Sequence, residues 1–159
     1  MTTPLFMRDV SLTLKLIAAG TRVEFNCDAH LAEVIAEAGD TVEYQTLCPD
    51  GSFSSAGKST YSLHIVAAQD WSANGLARFL WENDGARAEF QYQPHGAAVV
   101  ASDDTPGMAG EITLVAPTMG GEADTYAELD VTMPCTGKPT LVTAAFPAAA
   151  EAEPATAAA

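Results

Sequence analysis

Tyr61 to Ala68 reads YSLHIVAA, in which Tyr61, Leu63, Ile65 and Ala67 alternate with Ser62 and His64. Side chains of an extended chain point to opposite faces in turn, so a period of two marks a strand with one buried face and one wet face. The same period recurs on both sides of this stretch. Val10, Leu12, Leu14 and Leu16 alternate with Ser11, Thr13 and Lys15; after Gly20, Val23 and Phe25 alternate with Arg22, Glu24 and Asn26. Val42, Tyr44 and Thr46 face away from Glu43 and Gln45, and the turn formers Pro49, Asp50 and Gly51 come next. Phe90 and Tyr92 alternate with Glu89, Gln91 and Gln93, and Ile112 with Leu114 makes a short strand. Ala127, Leu129, Val131 and Met133 alternate with Tyr126, Glu128, Asp130 and Thr132, and a last strand is predicted over Pro139 to Ala145. The chain therefore reads as mainly β.

One segment departs from that period. Trp71, Leu76, Phe79 and Leu80 stand at helical spacing, Ser72 sits where a cap belongs, and Asp84-Gly85 supplies a stop. A single helix of three turns is predicted, with those four residues as packing anchors and Trp81 at its rim. Arg78 and Glu82 form an i,i+4 pair on its outer face. Helical spacing favours an anchor over a ligand-stacking platform for these aromatics. Ala29 to Ala38 is ambiguous. Its Ala, Leu and Glu favour helix, with Asp28 and Gly39 as caps, whereas the β-rich flanks favour a hairpin strand.

The 159 residues suit one domain, and the formal charge of −14, from 7 Lys and Arg against 21 Asp and Glu, excludes an electrostatic nucleic-acid binder. The few cations are scattered singly along the chain. No apolar run approaches the roughly 18 residues that span a bilayer, and no signal peptide is evident, so a cytoplasmic site of synthesis is expected. Cys27, Cys48 and Cys135 are odd in number and lack a C-x-x-C spacing, which favours reduced, mostly buried thiols over a disulfide framework or a zinc site. Residues 147–159 hold Ala, Pro, Glu and Thr with no large apolar side chain, and a disordered tail is expected there.

Motifs for chemistry are missing. Gly51 to Thr60 reads GSFSSAGKST, but a phosphate-binding loop needs four residues between its glycines and a helix after its Lys. Here five residues separate Gly51 from Gly57, and a strand pattern succeeds Lys58. The stretch reads instead as a Gly/Ser loop. His30, His64 and His95 share no metal-ligand spacing, Asp103-Asp104 lacks the oxygen ladder of a calcium loop, and no Ser or Cys has a nucleophile motif. No cofactor, metal or catalytic residue is expected.

Three strings taken together resemble the major tail protein, the tail tube subunit, of long-tailed bacteriophages of the siphophage type: Thr46 to Phe53 (TLCPDGSF), Gln69 to Gly85 (QDWSANGLARFLWENDG) and Leu114 to Gly121 (LVAPTMGG), with Ala127 to Val131 behind. The resemblance covers about Phe6 to Ala145. It implies a β-sandwich or small barrel with one flanking helix, residues 1–146 forming the tube domain with an N-terminal arm, Met1 to Arg8. It makes Ala29 to Ala38 a strand. The implied role is structural: stacked hexameric rings whose bore conducts DNA into the host, in a virion assembled in the host cytoplasm. The implied partners are further copies of the chain, a tape measure protein and tail initiator and terminator proteins, with no membrane.

DNA carries about one negative charge per 1.7 Å of axis, so a conduit with acidic walls repels it and lets it pass. Glu24, Glu43, Glu89, Glu128 and Asp130, all on polar strand faces, are the expected lumen-facing acids. Of the long Gly-containing loops Cys48 to Ser59 and Gly96 to Gly110, at least one is expected to order against an adjacent ring, with Ser52, Phe53, Gly57 and Lys58 as the candidate contacts. The rival is a monomeric β-sandwich module that binds carbohydrate or another ligand, or serves as an adhesin.

Overall fold

The computed structural model describes residues 5, 7, 10–20, 22–25, 29–47, 51–96 and 99–145. Among these residues eight strands and one helix run in the order β1 (Ser11–Leu16), β2 (Arg22–Glu24), β3 (Ala29–Gln45), β4 (Ser52–Ala68), α1 (Leu76–Glu82), β5 (Arg87–Gln93), β6 (Gly107–Thr113), β7 (Glu128–Pro134) and β8 (Thr140–Val142). All pairings are antiparallel. They build a five-stranded sheet ordered β2-β1-β5-β6-β8 and a three-stranded sheet ordered β3-β4-β7.

The alternation does the folding. Leu12 and Leu14 of β1 and Phe90 of β5 turn inward from one sheet; Leu63 and Ile65 of β4 and Leu129, Val131 and Met133 of β7 turn inward from the other. Tyr92 adds a polar tie across the sandwich, its hydroxyl donating to the buried Ala32 carbonyl at 2.7 Å. On one side the sheets also meet through the backbone. Ile112 bridges Cys135, and the Thr136 N–H donates to the Glu111 carbonyl at 2.9 Å. The opposite side, where β3 runs past β5, β6 and β8, has no such bridge among the described residues.

The helix is shorter than its sequence suggested. Its seven residues make about two turns. Gly75 occupies the N-cap and no side chain caps the helix. Ser72 is engaged upstream, where the Asp70 carboxylate accepts from its N–H at 2.8 Å and its hydroxyl at 2.9 Å and is held below its ordinary pKa by those bonds. Leu76 and Leu80 are fully buried, Trp71 and Phe79 pack against the core, and Phe79 meets Phe25 at 5.4 Å between ring centroids. All four predicted anchors reach the core, but Trp71 does so from the connection before the helix rather than from the helix itself. Arg78 and Glu82 pair at 2.7 Å, as their spacing predicts.

Ala29 to Ala38 is a strand, as the resemblance implied and against its local propensity. Ser52, Phe53, Gly57 and Lys58 lie in β4, which corrects the expectation of a Gly/Ser loop. Backbone pairing with β3, rather than side-chain burial, holds that half of the strand. β6 starts at Gly107, earlier than predicted, which shortens the loop expected over Gly96 to Gly110. β8 covers only three of the residues predicted between Pro139 and Ala145. Cys27, Cys48 and the tail 147–159 lie outside the described residues, as does most of the N-terminal arm. Cys135 is a half-buried free thiol whose pKa burial pushes up.

The two strings that carry most of the resemblance meet in space. The Gln69 side chain donates to the carbonyls of Gly120 and Glu128 at 2.9 and 2.8 Å and accepts from the Gly120 N–H at 3.0 Å. Gly85 donates to the Leu114 carbonyl at 2.9 Å. They form a clasp that seats α1 and the segment before β7.

Candidate assembly surface

β3 and β4 pair from Ala29 and Ala67 out to Gln45 and Ser52, but β7 pairs only with Ser62 to Ala68 of β4. From Tyr61 toward the tip, the hairpin has no third strand among the described residues. Ten residues of each strand, 36–45 of β3 and 52–61 of β4, project as a two-stranded arm about 30 Å long, at roughly 3.3 Å per residue. A chain of this length has a radius of gyration of only about 15 Å. The arm thus reaches well past its own core. An isolated two-stranded hairpin is marginal in water, and this one carries exposed apolar side chains: Val42 is 64% exposed, Tyr44 67% and Phe53 68%. Tyr44 and Phe53 are directly paired across the strands.

Gly39 pairs with Gly57 where the register is irregular on both sides. A Cβ on Gly39 would stand 2.5 Å from the Lys58 carbonyl oxygen, and one on Gly57 would collide with the Asp40 carbonyl. Only two glycines permit so close a backbone approach. Such irregularities bend a strand and re-aim the residues beyond them, so the pair sets the direction of the arm.

The sheet edges differ in length. β2 and β8 end the five-stranded sheet with three residues each, whereas β3 offers an edge of 17 residues. Short edges are a common protection against unwanted pairing; a long one is a template for another strand.

The expected lumen acids do not share one face. Glu24 and Glu89 lie on the outer face of the five-stranded sheet among cations: Lys15 reaches Glu89 at 3.4 Å, and Arg87 pairs with Glu111. Glu43 lies on the arm. Glu128 and Asp130 lie on the outer face of the three-stranded sheet, where the register adds Glu33 and Glu37, two acids that sequence reasoning missed. Their i,i+4 spacing shares a face in a helix and in a strand alike; only the strand register puts that face alongside Glu128 and Asp130. The five-stranded face is thus nearly charge-balanced and the three-stranded face is acidic.

At the centre of the acidic face His64 joins three strands. Its Nδ1 stands 2.8 Å from Glu33 Oε1 on β3, and its Nε2 2.8 Å from Asp130 Oδ1 on β7. Carboxylates only accept, and a neutral imidazole has one N–H, so both contacts are hydrogen bonds only when the ring is protonated. These bonds, to Glu33 first and then to Asp130, raise the His64 pKa above 6.5. A group whose pKa is raised by folding contributes its stabilisation fully below the unfolded value, about 6.5, and loses it as pH climbs through the folded value. The substitution His64→Gln should therefore lower the melting temperature most near pH 6, and the deficit should shrink steadily on the alkaline side. A deficit that is the same from pH 6 to pH 9 would refute the clamp.

Among the described residues no three His, Cys, Asp or Glu side chains converge as a metal site, and no helix is long and apolar enough to cross a membrane. No family model and no curated protein matches the chain. Solved structures do. A chain from the tail of an empty gene transfer agent particle, refined with C6 symmetry, superposes with a TM-score of 0.57 at 16% identity over 85% of this chain and 96% of that one. The fold is the tail tube fold. A chain of the anti-feeding prophage baseplate, 6-fold symmetrised, shares it at a TM-score of 0.51 and 10% identity, covering 90% of this chain and 98% of that one. So does a chain of an extracellular contractile injection system sheath-tube complex in its extended state, at 0.50 and 14%, covering 88% and 92%.

Proposed function

We propose that the chain is a structural subunit of a phage-like tail tube, of the siphophage type its sequence strings resemble, assembling as stacked hexameric rings around a bore that conducts DNA. The observation that carries this reading is the 17-residue edge of β3, unpaired among the described residues, beside an arm that projects beyond its own domain. Both are liabilities in a monomer and assets in a ring. On the arm, β4 from Ser52 to Tyr61 has no strand partner on the side away from β3 among the described residues, so the arm of one copy has a free edge to offer the β3 edge of the next. Such a contact joins unlike surfaces head to tail, and it closes into a ring when the rotation allows. Six copies is the symmetry stated for the gene transfer agent tail.

The acidic face of the three-stranded sheet is the proposed wall of the bore, with Glu128 and Asp130 of the expected acids beside Glu33 and Glu37. Charges are screened over about 8 Å at physiological salt, so only acids on the wall itself act on passing DNA. Glu24 and Glu89, held among cations on the other sheet, then face away from it. Ser52, Phe53, Gly57 and Lys58 act from the arm rather than from a loop. The partners of such a tube are a tape measure protein and tail initiator and terminator proteins, and its place is the virion.

Concentrated protein viewed by negative-stain electron microscopy, with light scattering for mass, should show uniform tubes or six-fold rings. A monomer at every concentration that instead binds a glycan in a ligand screen would establish the rival, a monomeric β-sandwich binding module.

A further inference from the structure

The open side of the sandwich is an apolar groove. Between β3 and the facing edge of the five-stranded sheet lies a cavity of about 490 Å3, walled by Met7, Val34, Met108 and Leu141, with the acids Glu33 and Asp104 also in its lining. Leu141 is 57% exposed and Met7 47%. Among the described residues two apolar surfaces thus stand uncovered, one concave and one convex, the second being the Val42, Tyr44 and Phe53 cluster on the arm. We propose that the groove of one copy receives the arm of a second copy, with Tyr44 and Phe53 as the inserted side chains. This rests on the tube reading and names the surface that the arm seeks.

Three observations favour a second copy as the occupant. The arm extends about 30 Å from its last contact with β7, far enough to reach a neighbouring domain. The groove lies along the base of β3, beside the edge that already offers backbone pairing to an incoming strand. The charges also match: Lys58, in the kink of the arm, has no ion-pair partner among the described residues, and the groove lining presents Asp104.

Size decides when the contact forms. Phe and Tyr bury about 150–250 Å2 each, so two of them, already one-third covered, contribute a few hundred Å2, short of the roughly 800 Å2 per partner of a standard interface. Arm insertion alone does not hold two free subunits together. It adds to edge pairing within a polymer.

The test replaces Phe53 with the photoreactive analogue p-benzoylphenylalanine, which keeps the aromatic ring in place, and irradiates assembled tubes. The expected result is covalent dimers whose cross-links map by mass spectrometry to Met7, Val34, Met108 or Leu141 of the neighbour. A second variant, Leu141→Asp, should abolish tubes while leaving the melting temperature within a few degrees of the wild type. Tubes that form normally but cross-link elsewhere, or tubes that persist in Leu141→Asp, would overturn the groove assignment and leave the tube reading intact. A wild-type chain that makes no rings or tubes would instead remove the reading beneath it.

Discussion

A chain lacking residues 40–56, with Gly39 joined to Gly57 through an Asn-Gly turn, should fold as the wild type does and make no tubes. β7 stops at Ser62, well short of the excised part, and Val42, Tyr44 and Phe53 stand largely in solvent. Removing exposed side chains away from the core changes stability by about 0.5 kcal/mol or less. An Asn-Gly dipeptide suits a two-residue hairpin turn, and the Gly39–Gly57 pair already brings the two backbones together. Deleting Ser52 to Gly57 alone would be a poorer experiment, because it would leave the outer half of β3 without its partner. Thermal unfolding by circular dichroism checks the first half of the expectation, and sedimentation with electron microscopy the second. Loss of tubes should be complete, since the arm supplies both an edge and an apolar surface. Normal tubes from the shortened chain would show that the arm is dispensable for assembly.

The largest expected loss of stability is at Phe90. Its side chain is fully buried on β5, and Gly110 of β6 makes room for the ring: a Cβ there would stand 2.8 Å from Phe90 Cε1. Phe90→Ala removes the centre of the five-stranded sheet's inner face and leaves a cavity that a backbone held by strands on both sides fills poorly. Such truncations cost about 3–5 kcal/mol, against a total stability of about 5–15 kcal/mol for a domain. The urea midpoint should fall accordingly, by roughly 1.5–2.5 M for a slope of about 2 kcal/mol/M. A midpoint within about 0.3 M of the wild type, roughly a tenth of the largest shift expected, would mean that the two sheets do not pack around this ring.

The strands with one wet face were legible because alternation is a local property: Leu63, Ile65 and Ala67 announce which residues share a side whatever they pack against. The outer half of β4 was not. Ser52 to Lys58 has the composition of a loop, and its strand conformation comes from a ladder with β3, a partner that composition does not reveal. Ser72 fails as an N-cap for a related reason, because Asp70, two residues earlier, engages its N–H and hydroxyl. Glu33 and Glu37 escaped as neighbours of Glu128 and Asp130 because strand register, not their spacing of four, brings them alongside, and Ala29 to Ala38 has helical propensity.

Residue order alone was enough to establish a β protein with one helix, whereas the contact between the strings at Gln69 to Gly85 and Leu114 to Gly121 came from the packed fold. The packed fold was needed to show which acids stand together, that the hairpin outgrows its domain, and that β3 has a long edge unpaired among the described residues. The cause is the period of two itself. It sorts residues onto two sides of a strand but does not say which strands become neighbours or which face a second sheet covers. Neighbours and cover are settled by contacts between residues distant in the chain: Glu33, His64 and Asp130, from three separate strands, became one cluster only when β3 and β7 paired on either side of β4.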